Sequence, residues 1–223
     1  MNAWKRRAVA ATVVCGIMLI LWGAVGRLAV SAAEKPQEIP APALDNAKAA
    51  GPMQTAVLAG GCFWGVQAVF QHLNGVQRSL SGYAGGDRSR PQYEIVSSGR
   101  TGHAESVQVT FDPNVVSYGE ILQVFFSVAH DPTQLNRQGP DRGTQYRSAI
   151  FYADQKQEEI ATAYIAQLNE TGKFGKQIVT RVDPLQGFYA AEGYHQDYLV
   201  KHPNDPYIVF NDLPKVRNFE RML

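Results

Sequence analysis

Two stretches with the two-residue period of strands follow one another with no helical pattern between them, and that adjacency limits the fold more than any other feature. "VQRSLSGYAGG" (residues 76–86) reads as a strand ending in a glycine turn. "HAESVQVTFDP" (residues 103–113) alternates up to an Asp-Pro turn. A parallel crossover is usually built by a helix, so strands that meet without one pair antiparallel or enter a mixed sheet. "QTAVLAGG" (54–61) is a buried strand, and beyond Cys62 the positions Val66, Val69, Phe70 and Leu73 follow helical spacing. "SYGEILQVFFSVAHDP" (117–132) places Tyr118, Ile121, Leu122, Phe125 and Ala129 on one helical face and stops at Asp131-Pro132. "RSAIFYAD" (147–154) predicts a strand, "QKQEEIATAYIAQLNETG" (155–172) a helix, "QIVTRVDP" (177–184) a strand and "FYAAEGYHQDYLVKH" (188–202) a last helix before a polar, irregular tail. The order β-α-β-β-α-β-α-β-α describes a two-layer α+β domain over residues 53–223, with a mixed, mainly antiparallel sheet and helices on its face.

The N-terminus is a separate object. Lys5, Arg6 and Arg7 precede an uncharged apolar run over residues 8–26 that is about long enough to span a bilayer. Ala32 or Ala33 could end a small-x-small cleavage site. Residues 1–33 therefore read as a cleaved signal peptide or an N-terminal membrane anchor, and both send the rest of the chain out of the cytoplasm, to the periplasm or its equivalent. Residues 34–52, "EKPQEIPAPALDNAKAAGP", are rich in Pro and Ala without a hydrophobic period and predict a flexible linker. With 21 basic against 20 acidic side chains and no basic stripe, the chain has no footprint for nucleic acid.

The chain has two cysteines. Cys15 lies inside the apolar run, which leaves Cys62 as the one thiol of the domain, so an internal disulfide and a zinc site of cysteine pairs are excluded. Gly60 and Gly61 allow a sharp turn before Cys62. If a helix begins there, its free N–H groups and positive end favour a thiolate. An unperturbed thiol is only about 3% ionised at pH 7, so a lowered pKa is expected of a nucleophile. An inert buried cysteine is the alternative.

Glu105 follows His103 by two residues on the predicted strand and shares its face. Buried, it would be a carboxylic acid with a raised pKa, able to give a proton. A solvent-facing strand glutamate is the commoner local arrangement. His103-Ala104-Glu105 matches the H-x-E of zinc deaminases but no Pro-Cys-x-x-Cys follows, so no metal is implied. Asp141, Tyr146 and Tyr93 sit in polar loops beside predicted elements.

Taken together, "GCFWG", "GYAGG", "GHAE", "HDPTQLNRQGPDRGTQYRSAIF" and "EGYHQDYL" resemble the peptide methionine sulfoxide reductase A family, in that family's order, over residues 54–203 or so. The resemblance implies a ferredoxin-like α+β core and reduction of the S epimer of methionine sulfoxide, free or in oxidised proteins and peptides. It implies Cys62 as nucleophile, Glu105 as the acid that protonates the sulfoxide oxygen with help from Tyr93 and Tyr146, and Phe63 and Trp64 as the pocket for the substrate methyl. Asp141 would order the site and bind the substrate amide, with His103 and His195 behind the reacting groups. No bound cofactor is implied.

Two departures stand out. The family usually has Glu where this chain has Gln67, and many members carry resolving cysteines in a tail that here has none. The sulfenic acid left on Cys62 must then meet an external thiol, thioredoxin-like or small. A cysteine hydrolase pairing Cys62 with His103, His130 or His195 is the rival enzyme class. A pocket that only binds thioethers is the non-enzymatic alternative.

Overall fold

The computed structural model describes residues 36–87 and 91–223. The predicted signal or anchor at residues 1–33 lies outside them. Among the described residues no helix is long and apolar enough to cross a membrane.

The elements run β1 (Gln54–Gly60), α1 (Phe63–Gln71), β2 (Val76–Ala84), a one-turn α2 (Tyr93–Val96), β3 (Ala104–Phe111) and α3 (Tyr118–Val124), which widens into a π-helical turn, Phe125–Ala129. A two-residue hairpin follows, β4 (Arg137–Gln138) and β5 (Asp141–Arg142), then β6 (Ser148–Tyr152), α4 (Gln155–Thr171), β7 (Arg181–Pro184) and β8 (Phe188–Ala190). The chain closes with a one-turn α5 (Tyr198–Lys201), a second π-helical turn Ile208–Asp212, and α6 (Leu213–Glu220).

The main sheet has the order β7-β6-β1-β3-β2-β8. Every pair is antiparallel except β6 with β7. This is the mixed, mainly antiparallel α+β architecture expected. Alternation divides β1 between two cores: Ala56 and Leu58 face the large cluster under the helices, while Val57 and Ala59 join a small one on the opposite face with Ala84, Ala104, Ala149 and Phe151. Helix α3 starts at a capping box, Ser117 with Glu120. Asp154 caps α4 at one end, and Gly172, at φ +64°, ends it.

Three expectations are corrected. The first concerns the linker. Residues 36–49 form a strap held by their own polar groups: Tyr164 Oη donates to the Pro40 carbonyl at 2.7 Å, Gln123 Nε2 to that of Ile39 at 3.2 Å, and Gln167 both gives and receives across residues 41 and 43. The Asp45 carboxylate takes the Gly119 N–H at 2.8 Å and the Ser117 hydroxyl, and Ile39 is buried in the core. A Pro/Ala-rich segment without a hydrophobic period stays in place because its carbonyls find donors on two helices.

The second is the last helix. Residues 188–202 instead make β8 along β2, a 3-10 turn at Gly193–His195, and α5. Gln196 explains the break: its side chain accepts from the Ser81 N–H and donates to the carbonyls of Ser81 and Ala191, continuing the sheet's hydrogen bonding, while Asp197 takes a left-handed conformation at φ +57°. The third is the tail. It is helical and packed, with Ile208, Val216 and Phe219 buried.

Candidate active site

Cys62 lies at the turn from β1 into α1. Gly61 makes that turn at φ +88°, and a Cβ there would lie 2.4 Å from the Gln138 Cβ, so glycine alone fits. Cys62 is the N-cap residue of α1 and is 7% exposed. Its thiol differs from expectation. Burial pushes it well above the ordinary range, and the carboxylates of Asp212 and Glu105 push the same way, while the Trp64 N–H and the Lys215 ammonium pull down without prevailing. The helix end is present, but desolvation outweighs it. At rest Cys62 is a thiol.

Glu105 stands beside it. On β3, in register with Tyr83 of β2, it sends its carboxyl under the start of α1, where Oε2 accepts the Phe63 N–H at 3.1 Å. The residue is 3% exposed. Burial raises its pKa to about 8 against the pull of the Phe63 N–H, with Asp141 and Asp212 adding to the rise. At pH 7 it is chiefly an uncharged acid holding a proton next to Cys62. The solvent-facing alternative is excluded.

Tyr93 opens α2, Tyr146 closes a 3-10 turn at Thr144–Tyr146, and Asp141 stands on the small hairpin. Burial raises both phenols, and the charges of Glu105, Asp141 and Cys62 raise them further. Tyr93 reaches the start of α1 through His195, whose ring lies 4.4 Å from Tyr93 and 5.1 Å from Phe63. Both hydroxyls keep their protons at neutral pH and can donate. Asp141 accepts a hydrogen bond from the Tyr207 hydroxyl.

Aromatic rings line the other side. Trp64 stacks on Tyr198 with ring centroids 3.8 Å apart and planes 9° from parallel, and Tyr207 meets it edge-on at 5.8 Å. Trp64 Nε1 donates to His195 Nδ1 at 3.2 Å, which leaves the His195 proton on Nε2. The His195 ring packs 5.1 Å from Phe63 and 4.4 Å from Tyr93, and burial holds it below its usual pKa and neutral. His195 thus stands behind the aromatic pair and fixes the indole.

His103 lies elsewhere. It precedes β3, so the strand alternation that would align it with Glu105 does not extend to it; its ring meets Tyr189 edge-on at 5.7 Å. His130 is also apart, with Nε2 on the Ser148 hydroxyl at 2.7 Å and Nδ1 on the Phe125 carbonyl at 3.1 Å. Burial pulls it down to about 4. Among the described residues no histidine is hydrogen-bonded to Cys62, so the dyad of a cysteine hydrolase is not formed. Gln67 points away from Cys62 as well: its amide bonds the Ser79 carbonyl, Gln196 and the Asp197 N–H, joining α1 to β2 and the 196–197 turn. Among the described residues no group of three or more His, Cys, Asp or Glu side chains is arranged to hold a metal ion.

Sequence reasoning missed four residues here: Tyr198, Tyr207, Asp212 and Lys215. Three belong to the tail that was expected to be irregular. Ile208, Asp212, Val216 and Phe219 recur at helical spacing, and that was the available signal.

The family model described as peptide methionine sulfoxide reductase matches residues 54–223. Peptide methionine sulfoxide reductase MsrA 2 of Mesorhizobium japonicum is 57% identical over 175 residues, covering 78% of this chain and 90% of that protein. Its namesake in Synechocystis is 51% identical over 168 residues, covering 75% and 78%. Among solved structures, reduced Mxr1 of Saccharomyces cerevisiae aligns with a TM-score of 0.63 at 37% identity, covering 70% of this chain and 91% of that one. Methionine sulfoxide reductase A of Corynebacterium diphtheriae aligns at 0.60 and 35% identity, covering 79% and 92%.

Proposed function

The chain belongs to the peptide methionine sulfoxide reductase family, and from that premise we propose that it reduces the S epimer of methionine sulfoxide, free and in proteins, by attack of Cys62 on sulfur with Glu105 as acid. It is an oxidoreductase by its relatives, as the sequence motifs imply. The observation that carries the mechanism is the buried Glu105 carboxyl bonded to the N–H of the residue next to Cys62, where burial raises its pKa and favours the protonated form.

Sulfoxide sulfur is a poor electrophile until its oxygen is protonated or strongly hydrogen-bonded. Glu105 holds that proton, and the Tyr93 and Tyr146 hydroxyls donate to the same oxygen. The substrate methyl, on a sulfur with partial positive charge, rests against Phe63 and Trp64. The positive end of the S–O dipole then faces Cys62 and favours its thiolate, which burial suppresses in the free enzyme. The Cys62 sulfur attacks the substrate sulfur as the oxygen takes the Glu105 proton. The hydroxyl then moves to Cys62 while the new S–S bond and the substrate S–O bond both break. The electron pair stays on the departing thioether, and the proton that Cys62 gave up restores Glu105. Thiol plus sulfoxide gives sulfenic acid plus thioether, with atoms and electrons balanced. In this reading Asp141 takes the substrate's amide N–H, and the hydrogen bond it accepts from Tyr207 supports that role.

The described residues hold no second cysteine. A first external thiol therefore displaces water from the sulfenic acid to form a mixed disulfide, and a second releases Cys62. We assign that task to a thioredoxin-like dithiol. The exported or membrane-tethered location belongs to this proposal too, supported by the basic flank and the apolar run at residues 8–26.

The test is incubation of the reduced protein with racemic methionine sulfoxide and excess dithiothreitol. Conversion stopping at half the racemate, with the R epimer left, is expected. No methionine, or loss of both epimers at equal rates, contradicts the proposal.

A further inference from the structure

An ion pair between a buried carboxylate and a partly buried ammonium on the C-terminal elements lies against the first turn of α1. Asp212 ends the second π-helical turn and is 0% exposed; Lys215 follows in α6 with Nζ 3.1 Å from Asp212 Oδ1. A Cβ on Gly65 would lie 2.2 Å from that same Oδ1, so the carboxylate rests directly on the backbone of the turn that Cys62 caps. The other oxygen, Oδ2, is buried without a hydrogen-bond partner. Burying an ion pair costs desolvation that apolar side chains of similar volume would avoid, and an oxygen left unpartnered adds to the cost. A fold held only by packing has no need of this arrangement.

The surroundings give it a task. Cys62 is faced by Glu105 of β3, by Tyr93 of α2, by Tyr146 from the loop before β6, and by Tyr198, Tyr207, Asp212 and Lys215 of the C-terminal segment. Asp141 stands behind Tyr207 and His195 behind Phe63. A thiolate on Cys62 adds negative charge to a site already holding carboxyl groups. Among the described residues, Lys215 is a cation that acts on Cys62, Asp141 and Asp212 alike. Burial alone would pull the ammonium down; Asp212 and the other anions more than offset it and keep it charged.

We propose that Asp212 and Lys215 form a positioning pair that sets the charge Cys62 experiences: Asp212 damps the ammonium while the site is empty, and Lys215 compensates the thiolate once substrate arrives. Neither side chain is among the groups that the proposed function sets against the sulfoxide. Without Asp212 the ammonium would act on Cys62 undamped and raise the share of reactive thiolate, which peroxide oxidises. Without Lys215 the carboxylate would oppose the thiolate further. The pair leaves in place the resting thiol that burial imposes and supplies a countercharge when the thiolate forms. This inference rests on Cys62 being the reactive thiol, as in the proposed function, and adds what controls it.

The test is the rate of Cys62 alkylation by iodoacetamide in the reduced, sulfoxide-free protein between pH 6 and 10, followed by mass spectrometry of the Cys62 peptide. Lys215→Met is expected to lower the rate at pH 8 about tenfold, which is a rise of one unit in the midpoint. Asp212→Asn is expected to raise the rate several-fold, and Lys215→Arg to keep the wild-type profile. A purely structural pair would shift both neutralising variants the same way or leave the midpoint in place, and either result overturns the proposal. Should Lys215→Met fail to fold, Asp212→Asn decides alone: faster alkylation supports the pair's role, and an unchanged or slower rate overturns it. Sulfoxide reduction is assayed in parallel. Expected alkylation shifts in a wild-type background that makes no methionine would contradict the reductase reading and leave the pair's effect on Cys62 standing.

Discussion

Glu105 and Phe63 are joined by a hydrogen bond of 3.1 Å from the Phe63 N–H to the buried Oε2. The bond fixes the acid on β3 against the start of the helix that Cys62 caps, so proton donor and nucleophile are held by adjacent backbone. Removing the proton while keeping the shape isolates its part in the reaction. Glu105→Gln is expected to lower the chemical step by about 10²- to 10⁴-fold, the usual worth of a general acid, with little change in KM. Single-turnover rates separate this from slow reductant recycling.

The same side chain predicts a pH-dependent stability difference. Its pKa in the fold, about 8, lies above its ordinary value of 4.5. Below the ordinary value both folded and unfolded chains hold the proton. As pH rises toward 8 the unfolded chain ionises first, and the stability that the protonated group contributes is lost across that window. Glutamine does not titrate. The Tm of Glu105→Gln should therefore gain on wild type by several degrees between pH 5 and pH 8, measured by calorimetry, and stay level above pH 9.

Tyr207 joins Asp141 to the face of Trp64. Tyr207→Phe keeps the ring and deletes the donor, leaving a half-buried carboxylate short of one hydrogen bond. A loss of about 1–3 kcal/mol in stability is expected. A rise in KM for peptide substrates larger than that for free methionine sulfoxide would show that Asp141 serves the amide; equal effects on both would contradict that role.

Gly65→Ala tests the packing of the C-terminal helix. The new methyl would stand 2.2 Å from Asp212 Oδ1, so the carboxylate and its lysine must move. Overpacking of this kind costs about 1–3 kcal/mol. Chemical denaturation should show the loss, and hydrogen exchange should place the loosening in residues 208–220.

Much of this was legible in the sequence because period and position agreed. Ala56 to Gly61 followed by Cys62 gave the strand, the turn and the helix start, and the alternation of 104–111 gave the central strand that carries Glu105. What escaped was set by tertiary contacts. Gln196, by acting as a stretch of backbone for Ser81 and Ala191, ends a helix that spacing alone would continue. The strap at 36–49 is held by carbonyls, which have no signature in composition. The helix end alone predicts a lowered thiol; burial of Cys62, with the Asp212 carboxylate pushing the same way, reverses that. Such a reversal depends on tertiary burial and on a residue far along the chain, which local sequence does not show.

The central claim is that oxygen passes from substrate sulfur to Cys62. The direct measurement is intact and peptide mass spectrometry of the reduced protein after one equivalent of methionine (S)-sulfoxide, without reductant. The account predicts one methionine formed per enzyme and a gain of one oxygen on the Cys62 peptide, captured by a sulfenate-specific reagent and absent in Cys62→Ser. Methionine formed by Cys62→Ser at the wild-type rate, or oxygen gained on another residue, would contradict it.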